Sequence, residues 1–272
     1  MKKQWIVTQE DHQLRIDDFA YKHNITRKAL KAIKLKGDIL VDGCHCTVRY
    51  QVHKGERITF IFPEEQSQIQ PVFIDFPIVY EDQDILVIDK PPNIPCIPTK
   101  AYPDYTLAHG IMYYYQSIGL SATVHLVNRL DLQTKGLMIV AKSGHIHHLM
   151  SRKHIYRVYR AHVEGIVSEG IIDLPIYKQD YQMKRIIDKK GKPSITYYQA
   201  MRYEKNCTYV ACRLQTGRTH QIRVHMSAIG HPLIGDKLYG HEDGMFDLES
   251  YCLCFQHPVT QQTIYIEKKG SR

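Results

Sequence analysis

The sequence lacks apolar runs of the length that a membrane-spanning segment requires. Its longest apolar stretches, such as residues 85–88 and 137–141, are far shorter than the ~18 residues of a transmembrane helix. The first ten residues include two lysines but no sustained apolar region. We therefore expect neither a signal peptide nor a membrane partner.

The chain also lacks the cysteine spacing of a secreted disulfide framework or of a zinc site. Its seven cysteines are an odd number, and the pairs Cys44/Cys46 and Cys252/Cys254 are each separated by one residue rather than two. Reduced thiols are the simplest interpretation, and they favour a cytoplasmic protein.

Patterns of metal ligands are scarce as well. His145, His147 and His148 form a local cluster, but no cysteine or acidic ligand flanks it. Because the chain contains 16 histidines, a cluster of this kind is unsurprising. We predict that the protein has no metal site.

Basic residues are present in excess. Lysine and arginine total 36 against 28 aspartates and glutamates, which gives a net charge of +8 and a pI near 9.0. This balance favours polyanionic partners without choosing among them. The 272 residues are enough for one or two domains with a real core.

A charged pair lies inside apolar sequence in residues 126–142 (LVNRLDLQTKGLMIVAK). Arg129 and Asp131 precede Gly136 and an apolar run, a pattern that predicts a strand, a tight turn and a second strand. A buried carboxylate is costly unless it is paired or hydrogen-bonded, so Asp131 is a candidate functional group. A turn residue that caps its own loop explains it equally well.

Residues 214–240 (LQTGRTHQIRVHMSAIGHPLIGDKLYG) contain a predicted helix. Thr219 can cap it, and its apolar residues recur at helical spacing (Ile222, Met226, Ile229). Arg218 lies at the start of this helix, with Arg223 and His225 further along. An arginine there suits a carboxylate or a phosphate, whereas a solvated basic face is the usual alternative.

A third segment, residues 155–165 (IYRVYRAHVEG), alternates as a strand. A period of two places Arg157, Tyr159, Ala161 and Val163 on one face. Tyr159 on that face is either a core residue or a functional one.

Together these segments resemble the pseudouridine synthases of the RluA type. That family carries an H-R-L-D-x-x-T-S-G motif, a K-x-Y-x-A-x-V-x-G strand and an L-x-T-G-R-x-H-Q-I-R-V-H…G-D-x-x-Y-G segment. Two further family motifs match residues 78–91 (IVYEDQDILVIDKP) and 255–258 (FQHP). Agreement of several long motifs in the same order is far more specific than any single motif. The chain departs from the family at Asn128, Lys135 and Asn93, where histidine, serine and glycine are usual.

The resemblance implies an isomerase that converts uridine to pseudouridine in structured RNA, with ribosomal RNA favoured and transfer RNA as the other candidate. It implies that Asp131 activates the nucleotide, that Tyr159 stacks on the uracil and that Arg218 pairs with Asp131. Arg129 would fill the space left by the flipped base. Arg223, on a solvated helix face, would contact RNA. The reaction needs no cofactor, and we expect a monomer.

The N-terminal segment has a pattern of its own. Thr26 is a credible N-cap for a helix that carries a basic stripe of Arg27, Lys28, Lys31 and Lys34. Residues 36–43 then predict a strand and a turn, and residues 52–60 a closing strand. The pattern is similar to the small RNA-binding domain of ribosomal protein S-four. A solvated face is the alternative for the stripe, but next to an RNA-modifying domain we favour RNA contact.

For the fold, these patterns predict an α+β protein: a mixed, mostly antiparallel central sheet with flanking helices and a catalytic cleft, as in the pseudouridine synthase fold. A small N-terminal α/β RNA-binding domain would span residues 1–64, a polar linker bounded by prolines residues 65–77, and the catalytic domain residues 78–272. The candidate strands are too closely spaced for repeated βαβ units (residues 85–88, 137–141, 156–163, 195–203 and 209–214).

Two other functions are compatible with an RNA-binding chain. One is a catalytically inactive paralogue that acts in ribosome assembly, against which the presence of Asp131, Tyr159 and Arg218 argues. The other is a metal-dependent RNA hydrolase, which the lack of metal-ligand spacing disfavours.

Overall fold

The first sheet is formed by the N-terminal residues of the computed structural model, which describes residues 1–268. It has four antiparallel strands in the order β1-β4-β2-β3, with two helices beside it. Its elements are β1 (Lys2–Ile6), α1 (Ile16–Lys22), α2 (Arg27–Lys36), β2 (Asp38–Val41), β3 (Cys44–His45) and β4 (Arg57–Ile61).

Helix α2 begins where the sequence predicts. The side chain of Thr26 accepts a hydrogen bond from the backbone N–H of Ala29 at 3.2 Å and so satisfies one of the free donors of the first turn. Leu30 and Ile33 are buried in a core shared with α1 and the sheet. The basic side chains of the stripe remain exposed (Arg27, Lys28, Lys31, Lys34).

The second sheet contains ten strands in the order β10-β13-β14-β9-β15-β8-β6-β5, with β16 paired to β15 and β7 to β8. All of its pairings are antiparallel except that of β15 with β8. β11 and β12 form a separate hairpin. The elements are β5 (Ile78–Glu81), β6 (Ile85–Lys90), α3 (Leu107–Ser117), β7 (His125–Leu126), β8 (Lys135–Ala141), α4 (Gly144–Ser151), β9 (Ile155–Glu164), β10 (Glu169–Asp173), β11 (Ile176–Lys178), β12 (Arg185–Ile187), β13 (Ile195–Glu204), β14 (Cys207–Leu214), α5 (Gln221–Ala228), β15 (Leu248–Gln256) and β16 (Thr263–Glu267).

This architecture confirms the predicted α+β class, and each of the five candidate strands is a strand. The longest helix, α3, has 11 residues, and no helix in the described part of the chain is both long and apolar enough to cross a membrane.

Strands β6 and β8 are buried on both faces, which explains their unbroken apolar sequences. Leu86 and Met138 pack in the same core as α3, whereas Val87 and Ile139 pack in the core that includes α4. β14, by contrast, buries alternate residues only, as expected of a sheet covered on one side.

A close backbone contact fixes β8 against β15. Gly136 has φ +111°, and a Cβ there would lie 2.3 Å from the carbonyl oxygen of Ser250. Only glycine fits this approach without displacing the partner strand. The loop that precedes β8 is thereby held close to β15.

Residues 65–77, where the sequence predicts a linker, contain no helix or strand, but their first residue is firmly held. The carboxylate of Glu65 accepts hydrogen bonds from the N–H of Gly144, the ring of His125 and the hydroxyl of Thr123 at 2.6–2.9 Å. Burial alone would raise the pKa of Glu65, but these hydrogen bonds hold it at about 2.

The N-terminal sheet contacts the large sheet directly. Lys3 on β1 forms a buried ion pair with Asp84 at the start of β6. Phe62 packs against the ring of His145 on α4, with ring centroids 5.2 Å apart. These contacts lie at one end of β6, and Lys90 lies at the other.

We expect Glu65→Gln to lower the melting temperature near pH 7 and to lose this effect in acid. The depressed pKa of the folded state contributes stability that is complete above the ordinary value of 4.5 and is lost as the pH falls toward about 2. Thermal denaturation at several pH values measures the gap between wild type and variant. Glu64→Gln, at an exposed neighbour, is the control. A gap that stays constant with pH would contradict the assignment.

Candidate active site

A cleft of about 800 Å³ opens between the loop that precedes β8, strand β9 and the start of α5. It contains five arginines but a single acidic side chain, Asp131, among the described residues that line it. The polar side chains that line it include Asp131, Tyr159, Arg218, His220 and Arg223.

The loop that carries Asp131 is held by a buried lysine. Lys90, at the end of β6, is fully buried, and its ammonium donates to the carbonyl oxygens of Pro91, Leu132 and Thr134 at 2.9–3.1 Å. Burial lowers the pKa of Lys90 to about 8. Three carbonyl dipoles thus solvate the ammonium and fix the path of the loop.

Two departures from the family motif have structural explanations. Asn128 is buried, and its side-chain oxygen accepts a hydrogen bond from the N–H of Ile139 at 2.8 Å. Lys135 pairs with Asp247 at 2.8 Å. Neither side chain contacts the carboxylate of Asp131 through these bonds.

Arg223 is buried beside Asp131, so its predicted place on a solvated helix face is wrong. Its guanidinium forms a two-point ion pair with Asp236, at 2.6 and 2.7 Å. The rings of Tyr239 and Phe246 lie 5.1 and 5.3 Å from it. A third nitrogen, Nη1, lies 4.0 Å from Oδ2 of Asp131. The fully buried Asp236 supplies the partner that allows this arginine to leave water.

The predicted pairing of Arg218 with Asp131 is also wrong. Arg218 is exposed at the mouth of the cleft, where Nε and Nη2 lie 3.4 Å from the carbonyl oxygen of Pro193. Within residues 1–268, the basic groups that come within 4 Å of the Asp131 carboxylate are His220 and Arg223. The helix begins at Gln221 rather than directly after Thr219. Its N-cap, residue 220, has a left-handed backbone conformation that turns the chain, so Arg218 remains at the exposed mouth of the cleft.

Tyr159 lies inside the cleft, as its place on β9 predicts. Its side chain is 6% exposed, and its neighbours across the sheet are Cys212 and Ser250. Burial raises the pKa of Tyr159, so its phenol is protonated at neutral pH. Arg157 lines the cleft from the same face of the strand, and Arg129 is exposed at its rim.

Several residues that line or support the cleft were not singled out from the sequence. His220, Lys90 and Asp236 all lie within recognised motifs, but nothing local indicates which side chains they meet. Met183 and Arg185, from the hairpin of β11 and β12, also line the cleft, and the sequence contains no signal for that placement.

One group of possible metal ligands occurs in the described part of the chain, and it lies outside the cleft. Ligand atoms of Asp82, Asp84 and His257 approach within 4.8 Å of one another. Asp84 already pairs with Lys3, and Nδ1 of His257 accepts the N–H groups of two residues that follow it, 259 and 260. Nε2 of His257 lies 3.0 Å from Oδ2 of Asp82, and the ammonium of Lys3 supplies the positive charge beside Asp84.

Comparison with known proteins identifies the family. Residues 84–228 match the family model described as RNA pseudouridylate synthase. A Bacillus subtilis (strain 168) protein named uncharacterized RNA pseudouridine synthase YjbO is 40% identical over 266 residues, which cover 92% of this chain and 93% of that protein. Ribosomal large subunit pseudouridine synthase D of Haemophilus ducreyi is 39% identical over 199 residues, or 71% of this chain and 61% of that protein.

Solved structures agree on the fold. Human RNA pseudouridylate synthase domain containing 1 superposes with a TM-score of 0.59 at 22% identity and covers 76% of this chain and 86% of that one. The protein is thus an isomerase that acts on uridine in RNA. The chain belongs to the RNA pseudouridine synthase family.

Arg223 and Arg218 should respond differently to loss of charge. Arg223→Met leaves the buried Asp236 unpaired, so we expect it to lower the free energy of unfolding by about 3–5 kcal/mol and to abolish most activity. Arg223→Lys should retain more of both, because a charge remains although the fork is lost. Arg218→Met, at an exposed position, should change stability by less than about 0.5 kcal/mol. Urea unfolding and pseudouridine formation measure the two effects. Equal stability losses at both positions would contradict the assignment.

Proposed function

We propose that Asp131 is the residue that activates the uridine for isomerisation. The observation that carries this proposal is its isolation: among the described residues that line the cleft it is the single carboxylate, and five arginines line the cleft with it. In that setting a carboxylate can stabilise a developing positive charge at the ribose or attack the nucleotide directly. The cleft volume, about 800 Å³, is within the range of pockets that enclose a small ligand.

The reaction assigns tasks to the other cleft residues. The bond between ribose C1′ and N1 of uracil breaks, the uracil turns, and C5 bonds to C1′. A proton leaves C5 and N1 gains one, so the atoms balance without a cofactor. We assign Tyr159 to stacking on the uracil and Arg129, at the rim, to the space that the flipped base vacates. Arg218 and Arg185, at the mouth of the cleft, suit RNA phosphates.

We further propose that residues 1–64 are an RNA-binding domain, residues 65–77 a linker and residues 78–272 the catalytic domain. The exposed basic stripe on α2 supports a contact with phosphates. Asp131 lies near one end of β6, and the N-terminal sheet contacts the other end. From the rise per residue of a β-strand, the two ends of β6 are about 17–20 Å apart. An RNA that reaches both must span at least this distance along the protein.

Ribosomal RNA is the substrate that we favour. Relatives in Haemophilus ducreyi and Pseudomonas aeruginosa are named ribosomal large subunit pseudouridine synthase D. The seven cysteines are all free thiols, which suits the reducing cytoplasm where this RNA is found. We propose that the protein acts there as a monomer.

We expect Asp131→Asn to fold and to bind RNA but to form no pseudouridine. The substitution preserves volume while removing the charge and the nucleophile. The test is to map pseudouridines in ribosomal and transfer RNA from cells that lack the gene and carry either the wild type or the variant. Asp243→Asn, at an exposed position, is the matched control. Turnover near the wild-type rate in Asp131→Asn would remove Asp131 from the mechanism, and a modified position found in transfer RNA alone would replace the proposed substrate.

We expect neutralisation of Lys31 and Lys34 to glutamine to weaken RNA binding and to flatten its salt dependence. Each lost phosphate contact should reduce the slope of log K against log salt concentration by about 0.7–0.9. Glutamine keeps the helix propensity, so α2 should remain folded. The control neutralises two exposed lysines outside the stripe, Lys54 and Lys205. Equal slopes in the wild type and the stripe variant would show that the stripe is only a solvated face.

A further inference from the structure

His220 has an unusual backbone conformation at the edge of the cleft. Its φ is +59°, in the left-handed region that residues other than glycine seldom adopt. The side chain is 12% exposed and lines the cleft. Strained residues of this kind persist where the surroundings hold them, and they cluster at functional sites.

The need to cap a helix does not explain where this side chain points. His220 occupies the N-cap position of α5, but its side chain makes no hydrogen bond to the first turn. Gln221, the first residue of the helix, directs its own side chain to the backbone N–H of Arg218. The imidazole is therefore free for another partner.

The contact with Tyr239 is the basis on which we assign the imidazole proton. The hydroxyl of Tyr239 lies 2.8 Å from Nδ1 of His220 and accepts a hydrogen bond from the N–H of Arg185 at 2.7 Å. With one lone pair of the hydroxyl oxygen engaged by Arg185, its own proton is available to Nδ1. We therefore assign Nδ1 as the acceptor and place the proton of the neutral ring on Nε2.

Nε2 faces the proposed catalytic carboxylate. It lies 3.8 Å from Oδ2 of Asp131, and Nη1 of Arg223 lies 4.0 Å from the same oxygen. The shortest approach of each of these two groups to the carboxylate is to this same oxygen, so the two donors converge on Oδ2.

The surroundings favour a neutral ring. Burial is the largest influence and lowers the pKa of His220 below its ordinary value. The charged groups that face the ring act in both directions, because the carboxylates raise this pKa and the guanidinium groups lower it (Asp131, Asp236, Arg223, Arg185).

We propose that His220 is a positioning residue of the isomerase site: its Nε2–H, together with Arg223, holds Oδ2 of Asp131 so that Oδ1 is presented to the uridine. This role depends on the proposed function of Asp131. Hydrogen bonds in an empty catalytic site are often long and shorten when the substrate binds. Tyr239 contributes by fixing the tautomer and the orientation of the ring, as partners of catalytic and metal-bound histidines do.

A pair of amide variants separates positioning from folding. The amide of His220→Gln can place an N–H near the position of Nε2, whereas the shorter His220→Asn reaches only the position of Nδ1. Asparagine tolerates the left-handed backbone better than glutamine does. We expect His220→Asn to be more stable than His220→Gln but less active. The value of kcat/KM should fall about 10–100-fold in His220→Asn and clearly less in His220→Gln.

The assay is tritium release from RNA labelled at C5 of uridine and isolated from cells that lack the gene, alongside thermal denaturation of each variant. In His220→Asn the loss should fall mainly on kcat, because the RNA still binds while the carboxylate is no longer held in the reacting position. Tyr239→Phe should reduce activity when it is the single substitution, and it should have little further effect when it is added to His220→Asn. Activity that follows thermal stability across the variants, or a loss in His220→Asn that falls on KM alone, would overturn the proposal.

Two outcomes distinguish this proposal from the one on which it depends. If Asp131→Asn is inactive while His220→Asn is fully active, the role of His220 fails and that of Asp131 stands. If Asp131→Asn is active, the function of the site fails first. Equal inactivation of His220→Gln and His220→Asn, with normal stability, would show that the imidazole itself exchanges protons and would overturn a purely positioning role.

Discussion

The ion pair between Arg223 and Asp236 is the interaction on which the cleft depends. Neither side chain could be buried alone, because an isolated charge in a weakly polar interior costs several kcal/mol. Paired at 2.6–2.7 Å, they attach α5 to the turn that follows it and leave one guanidinium nitrogen directed at Asp131. The same turn supplies Tyr239, whose hydroxyl holds His220. One neutralised pair thus places both donors that approach the carboxylate.

On the opposite wall of the cleft, a second buried charge is stabilised in a different way. Among residues 1–268, Lys90 has no carboxylate partner within hydrogen-bond distance, and it is solvated by three backbone carbonyl groups, two of them in the loop that carries Asp131. Gly136 lets β15 approach the end of that loop. A catalytic group must be held within a fraction of an ångström, and here rigid strands and a buried ammonium provide that rigidity.

The position of the N-terminal sheet has a consequence for substrate choice. It contacts the end of β6 that is remote from Asp131 through the ion pair of Lys3 with Asp84. If the stripe on α2 binds phosphates, the RNA must extend from the flipped uridine along the protein to reach it. Affinity would then depend on the shape of the RNA as well as on the modified base.

Several of the elements and the family follow from the sequence alone. Continuous apolar runs predicted β6 and β8, alternation predicted β9, and Thr26 predicted the start of α2, because these are local properties of the backbone and its solvation. Motif order was enough to indicate a pseudouridine synthase and to bring Asp131 and Tyr159 into one cleft. Only the tertiary structure decided which arginine meets Asp131. A charged side chain on a helix is expected to be exposed to solvent unless an oppositely charged partner allows it to be buried. Here that partner is Asp236, which lies in a turn whose position relative to α5 is not encoded by any local pattern.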